Sequence, residues 1–183
     1  MKIDVIFSGF GGQGVLVAGQ LLAQAAMLEG KNVTYLPVYG SEVRGGTAHT
    51  TVIISDQKIY YPYIEKHSNA VVFNRPSLDR YEPLIASGGF LIVNSSMATK
   101  KAERKDIDAF YVPATSAAAE MGSEQVANMI MLGAFVAATG VVELESVMKA
   151  LKMILPERRH NLLPLNRQAL EKGAGYINGG QKK

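Results

Sequence analysis

The densest candidate for chemistry is a run of small residues near the amino terminus. Ser8-Gly9-Phe10-Gly11-Gly12-Gln13-Gly14 fits the pattern G-x-G-x-x-G through Gly9, Gly11 and Gly14. A short apolar run, Ile3 to Phe7, precedes it, and Val15, Ala18, Leu21, Leu22 and Ala25 follow at helical spacing. Backbone N–H groups at such a strand-to-helix turn, reinforced by the helix dipole, bind an anion without a basic side chain. Missing side chains let a phosphate approach the backbone. The same glycines also suit a plain tight turn that packs a helix on a sheet, and both readings stay open. A dinucleotide site calls for an acidic residue about 20 positions on, at the end of the second strand. Here that strand ends Tyr35-Leu36-Pro37, with Glu29 before it and Glu42 well after it. No lysine followed by serine or threonine closes the loop, so it is not a Walker A loop.

A second cluster runs Tyr39-Gly40-Ser41-Glu42-Val43-Arg44-Gly45-Gly46-Thr47. It follows the second strand, which places it at the same carboxyl edge of the sheet, where open α/β sheets bind ligands. Arg44 beside two glycines supplies a fixed cation for a phosphate. Ser41 and Thr47 offer hydroxyl donors, and Glu42 pairs with Arg44 or faces a partner. The alternative is a solvated loop that enters a hairpin.

Other chemistries are excluded by composition. The 183 residues include no cysteine, so no disulfide, thiolate zinc site, cysteine nucleophile or cysteine-ligated cluster forms within the chain. The three histidines, His49, His67 and His160, show no i, i+3 or i+4 spacing for a metal. A net charge of +3 falls short of a nucleic-acid footprint. Lys100, Lys101, Arg104 and Lys105 read as a solvated face, or as a docking site for an acidic neighbour. Tyr60, Tyr61 and Tyr63 suit an interface, or core or sheet packing, equally. Met121, Met129 and Met131 read as core.

The elements that must position these residues follow from periodicity. Strands are expected at Ile3 to Phe7, Asn32 to Leu36 (stopped by Pro37), Ala70 to Phe73, Phe90 to Val93 and Asp108 to Val112. Thr47 to Ser55 and Lys58 to Tyr61 read as a hairpin with Asp56-Gln57 as its turn. Helices are expected at Val15 to Leu28, from about Ser77, and at Ala114 to Met121, Glu124 to Thr139, Leu144 to Leu155 and Leu165 to Lys172. The start, Met1-Lys2-Ile3-Asp4, reads as a first strand and not as a signal peptide. Gln125 to Val142 carries no charge over 18 residues, and its polar members favour a buried helix over a membrane span. The expected architecture is α/β: a three-layer single domain over residues 1–178 with a mixed, mainly parallel sheet, a Rossmann-like first βαβ unit and a β-hairpin. Residues 179–183 are expected to be a disordered tail. The expected compartment is the cytoplasm.

Ser8-Gly9-Phe10-Gly11-Gly12-Gln13-Gly14-Val15 and Tyr39 to Ala48, with Asn94-Ser95-Ser96 and Asn128 to Ala134, resemble the gamma subunit of 2-oxoacid:ferredoxin oxidoreductases. The resemblance runs from Ile3 to about Ala169, and Glu42 to Thr47 resembles the 2-oxoglutarate branch more than the pyruvate branch. His49-Thr50 departs from the Asn-Cys of many relatives. Such enzymes oxidatively decarboxylate a 2-oxoacid to an acyl-coenzyme A and pass electrons to ferredoxin. The resemblance implies that thiamine diphosphate, Mg and iron–sulfur clusters belong to alpha, beta and delta partner subunits. It implies that this chain helps to bind coenzyme A through Ser8, Gly9, Gly11, Gly12, Gln13, Gly14, Ser41, Glu42 and Arg44, and supplies no catalytic or metal-binding residue. A free-standing NAD(P)-dependent oxidoreductase and a purely structural subunit are the alternatives. No nucleic acid or membrane is implied.

Overall fold

A computed structural model of the chain describes residues 1–39 and 46–179. In order come β1 (Lys2–Phe10), α1 (Val15–Leu28), β2 (Asn32–Tyr39), β3 (Thr47–Ser55), β4 (His67–Val72), α2 (Arg75–Tyr81), β5 (Ile85–Asn94) and β6 (Asp108–Val112). The helices α3 (Ala114–Glu120), α4 (Ala127–Thr139), α5 (Leu144–Ile154) and α6 (Leu163–Asn178) complete the described chain. Among the described residues one six-stranded sheet forms, in the order β2-β3-β1-β4-β5-β6. β3 is antiparallel to both its neighbours, and the other pairings are parallel. Helices α1 and α3 to α6 close one face around the larger core, and α2 packs on the other around Ile6, Val72, Leu91 and Val93. This is the three-layer α/β arrangement with a mixed sheet.

Four local expectations change. β1 and β2 run parallel, as a βαβ unit requires, yet they are not neighbours. β3 is inserted between them, paired from Lys2↔Ser55 to Phe10↔Thr47 on one side and from Asn32↔Ser55 to Tyr39↔Ala48 on the other. Helix α1 lies against β3 closely enough that a Cβ on Gly19 would stand 2.4 Å from Thr50 Cγ2. The hairpin with Asp56-Gln57 as its turn does not form, and Lys58 to Tyr61 make no strand. Both edges of β3 are already occupied, so that segment has no edge left to pair with; the hairpin is β2–β3 instead. Pro37 does not stop β2 but pairs within it, opposite Thr50. An edge strand has one side without ladder partners, so a missing N–H is tolerated there. Pro164 does not precede α6 but sits in its first turn, where helices leave N–H groups unbonded anyway. Of the expected tail, Gly179 caps α6, and residues 180–183 lie outside the described residues.

The uncharged stretch is α4, buried on every side from Asn128 to Val136. Among the described residues no helix is long and apolar enough to cross a membrane. Helices α4 and α6 cross at glycines. A Cβ on Gly133 would come within 2.0 Å of Leu170 O, and one on Gly173 within 1.9 Å of Ile130 O. Backbone therefore packs on backbone, and no side chain fits between. Gly133→Ala and Gly173→Ala are each expected to lower stability by roughly 1–3 kcal/mol through overpacking, read as a shifted denaturation midpoint. Gly175→Ala, in the same helix but facing open space, is expected to be neutral or stabilising. An equal loss at all three positions would refute the close-approach account.

Candidate functional site

The β3 insertion brings the two glycine-rich loops together. Phe10 pairs with Thr47 and Tyr39 with Ala48, so the turn after β1 and the β2–β3 connection share one sheet edge. The Gly11 N–H donates to Gly46 O at 2.9 Å. A cavity of about 510 Å³ opens there, between the turn at Gly11 and Gly12, the Val15–Val17 turn of α1, and Tyr39. The first intrahelical bond runs from Ala18 N–H to Gly14 O, which leaves the N–H groups of Val15, Leu16 and Val17 without helical acceptors. No acidic residue sits in that first turn to neutralise the helix dipole. The opening therefore combines aliphatic walls with a partial positive charge.

The glycines do different work. Gly9 lies inside β1, where a Cβ would stand 2.8 Å from Val15 Cγ2 and 2.9 Å from Phe73 Cβ, so it seats helix on strand. Gly12 (φ 97°) carries the turn, and a Cβ there would meet open space. Gly14 is left-handed (φ 74°) and pressed against Asn128, whose Nδ2 would lie 2.4 Å from an added Cβ. Gln13 folds inward: its Oε1 accepts from Phe10 N–H at 2.7 Å and from Asn74 Nδ2 at 3.1 Å. Its Nε2 is the atom left open.

Of the expected site residues, Gly11, Gly12 and Gly14 line this cavity, and Gln13 stands behind it. Ser8 is not brought to it. Its hydroxyl is buried on the opposite sheet face and donates to Ser77 Oγ in α2 at 2.9 Å. Ser41, Glu42 and Arg44 lie outside the described residues. Three buried asparagines hold the edge in place and were not picked out as site residues by motif. Asn74 caps α2 through Ser77 N–H and reaches Gln13. Asn94, at the end of β5, donates to Thr115 Oγ1 at 2.9 Å. Asn128 donates to Gly14 O at 3.3 Å. The signal that marks them is a polar amide inside or just past an apolar run, since such a group is buried only when bonded. A second opening of about 330 Å³ lies on the other side of the glycine turn, bounded by Gln13, Asn94, Thr115, Glu124 and Gln125.

Elsewhere the candidates resolve into structure. Asp4 accepts from Ser68 Oγ at 2.6 Å and lies 3.1 Å from His67 Nδ1, beneath Tyr81. His49 stacks near the same ring, at 5.9 Å between centroids. Burial holds its imidazole below the ordinary range, helped by the positive Arg80 and by His67. His160 Nε2 meets Lys152 O and Leu155 O at the end of α5. The basic stretch is partly paired, Lys100 with Asp79 and Glu103, and Arg104 with Asp106, whose carboxyl is held down to about 2. Tyr60, Tyr61 and Tyr63 are exposed, which excludes core packing; Met129 and Met131 are core. Among the described residues no three His, Asp or Glu group together to hold a metal.

Sheet order and the glycine turn define an α/β domain with a mixed six-stranded sheet. The chain belongs to the pyruvate ferredoxin/flavodoxin oxidoreductase family, whose profile matches residues 4–176. It is 36% identical to the 2-oxoglutarate synthase subunit KorC of Methanothermobacter marburgensis, over the full length of both. Its fold matches the keto/oxoacid ferredoxin oxidoreductase gamma subunit of Geobacter sulfurreducens with a TM-score of 0.86 and 32% identity, covering 100% of this chain and 99% of that one. It also matches a 2-oxoglutarate:ferredoxin oxidoreductase from Magnetococcus marinus with 2-oxoglutarate, coenzyme A and succinyl-CoA bound, with a TM-score of 0.90, 22% identity, and 100% and 32% coverage. The chain spans only 36% of the length of the ketoisovalerate oxidoreductase subunit VorA of Methanothermobacter thermautotrophicus, to which it is 37% identical over 96% of its own length.

Gly14→Ala is expected to destabilise the chain by clearly more than Gly12→Ala. Both pay about 1 kcal/mol for the left-handed backbone, and only Gly14 also meets Asn128. Chemical denaturation of the two variants decides this, and equal losses would refute it. The depressed His49 pKa carries a sign as well. Below about pH 6.5 the unfolded chain takes up the proton first, so this residue's contribution to stability falls with pH until the folded form also titrates. The stability advantage of wild type over His49→Gln is expected to shrink between about pH 7.5 and 5.5, in denaturation midpoints measured across that range.

Proposed function

We propose that this chain is the gamma subunit of a multi-subunit 2-oxoacid:ferredoxin oxidoreductase and contributes part of the coenzyme A site. The reaction converts a 2-oxoacid, coenzyme A and oxidised ferredoxin to an acyl-coenzyme A, carbon dioxide and reduced ferredoxin, in the cytoplasm. The single observation that carries the reading is the shared edge. Two glycine-rich loops meet there through Gly11 and Gly46, beside unbonded N–H groups of α1 and an aliphatic cavity. Coenzyme A has matching parts: phosphates for the N–H groups and an apolar surface for the walls. In this reading Gly11, Gly12 and Gly14 present backbone, and Ser41, Glu42 and Arg44 complete the site from the second loop. Ser8, Gly9 and Gln13 support it from behind, Ser8 by fixing β1 to α2.

The chain has no cysteine and no Gly-Asp-Gly segment, so its residues do not fit a cluster or a metal-bound thiamine diphosphate. Those groups, with Mg, are assigned to the alpha, beta and delta subunits, where thiamine diphosphate supplies the carbanion chemistry. The full-length likeness to KorC favours 2-oxoglutarate as the oxoacid. A dinucleotide reading is disfavoured by the sheet. β3 separates the end of β2 from the glycine turn, and no acidic residue closes β2.

The test uses the assembled complex. Val17, 43% exposed at the cavity wall, takes a larger side chain without disturbing the core. Val17→Trp and Arg44→Ala are each expected to raise the KM for coenzyme A about tenfold, with assembly retained. An unchanged KM in both variants would show that this edge does not bind the cofactor, and NADH affinity in the isolated chain would favour the dehydrogenase reading.

A further inference from the structure

Tyr60, Tyr61 and Tyr63 lie in the connection between β3 and β4, at the amino edge of the sheet. The register places them there: Ser55, the last residue of β3, pairs with Lys2, the first of β1. β1 runs nine residues from that point to Phe10, so the glycine turn is about 25 Å away. The three tyrosines are 85%, 70% and 72% exposed, in that order. Ile59, Pro62 and Ile64 beside them are half-buried and anchor the segment. Tyr61 and Tyr63 rest against each other at 5.4 Å between centroids, and Lys58 Nζ lies 5.5 Å from the centroid of the Tyr60 ring. A groove of about 480 Å³ adjoins them, walled by Lys2, Ser55, Gln57, Lys58, Tyr60 and Tyr61. Among the described residues Lys2, Lys58 and Lys66 have no acidic partner, and Asp56 is already paired with the Met1 amino group at 2.7 Å.

We infer that this aromatic ledge docks an acidic segment of another subunit of the enzyme. This rests on the reading of the chain as one subunit of several. A tyrosine covers about 150–250 Å² when buried, so three of them supply the centre of an interface, with the lysines as its rim. The ring contacts exist before binding, which lowers the ordering cost. Charge selects the partner. Unpaired lysines attract carboxylates, and the three phenol O–H groups, without acceptors among the described residues, donate to them. A second copy of the ledge is equally basic and repels it. Nucleic-acid bases stack on open ring faces, whereas Lys58 covers one face of Tyr60, and Tyr61 and Tyr63 occupy each other. A lipid surface takes an amphipathic helix, and this segment forms none.

The test measures how tightly this chain joins the remaining subunits, by sedimentation velocity or surface plasmon resonance. Tyr60→Ala and Tyr61→Ala are each expected to weaken that association about tenfold or more. Their denaturation midpoints are expected to match wild type, since both side chains are in solvent. Lys58→Glu is expected to slow association and to flatten its salt dependence. With the variant chain saturating, the KM for coenzyme A is expected to stay unchanged, because the ledge is at the far edge. Wild-type affinity in both tyrosine variants, or unchanged association kinetics in Lys58→Glu, would overturn the proposal and keep the subunit reading. A wild-type chain that does not join the other subunits would remove both. Binding of wild type to phosphatidylserine vesicles, to a single-stranded oligonucleotide or to itself, lost in Tyr61→Ala, would reassign the ledge and overturn the proposal as well.

Discussion

The rest of the molecule depends on β3, a strand bonded along both edges between two strands that run the other way. Nine residues of β1 and eight of β2 are paired with it. Because β3 reverses direction, the loop that feeds it arrives at the edge where β1 ends. That alone places the glycine turn beside the second loop, close enough for Gly11 to donate to Gly46. The same insertion pushes β2 to the sheet edge, where Pro37 is tolerated, and gives α1 a strand to lie on, with Gly19 against Thr50. It also removes the adjacency of β1 and β2 that a dinucleotide site needs.

What keeps the edge in shape is a set of buried amides and not a set of charges. Asn74, Asn94 and Asn128 are 2%, 1% and 8% exposed, and each bonds a different element to the carboxyl edge. An unsatisfied buried amide costs about 1–3 kcal/mol, so each bond is difficult to give up. Among the described residues every buried side-chain nitrogen and oxygen has a partner. Glycine has the complementary role. At Gly9 and Gly14 the backbone is pressed against side chains, and at Gly133 and Gly173 it is pressed against backbone. The edge is thus preorganised by packing, with the N–H groups of the first turn of α1 left open.

Much of this was legible in residue order, because periodicity and turn residues report local structure. Val15 to Leu28 and Asp108 to Val112 were located to the residue. The glycine turn was recognised as a strand-to-helix junction, and the uncharged stretch as a buried helix. The largest error has a long-range cause. The Asp56-Gln57 hairpin looked sound locally, since a β-branched run followed by a polar pair is ordinary turn chemistry. It failed because β3 already had two partners, a fact about strand order that no local window contains. The family resemblance places Ser8 among the site residues with the glycines. Strand alternation turned its hydroxyl to the other face, toward Ser77.

The sequence by itself determined the class of fold, the position of the turn, the absence of cluster ligands and the family. These depend on composition, spacing and short motifs, which are properties of neighbouring residues. Only the tertiary structure decided which loops share an edge, which glycines pack and which bend, and that asparagines from distant parts of the chain brace one turn. Those are long-range matters. Asn128 and Gly14 stand 114 residues apart, and their contact exists only once α4 is buried against the sheet.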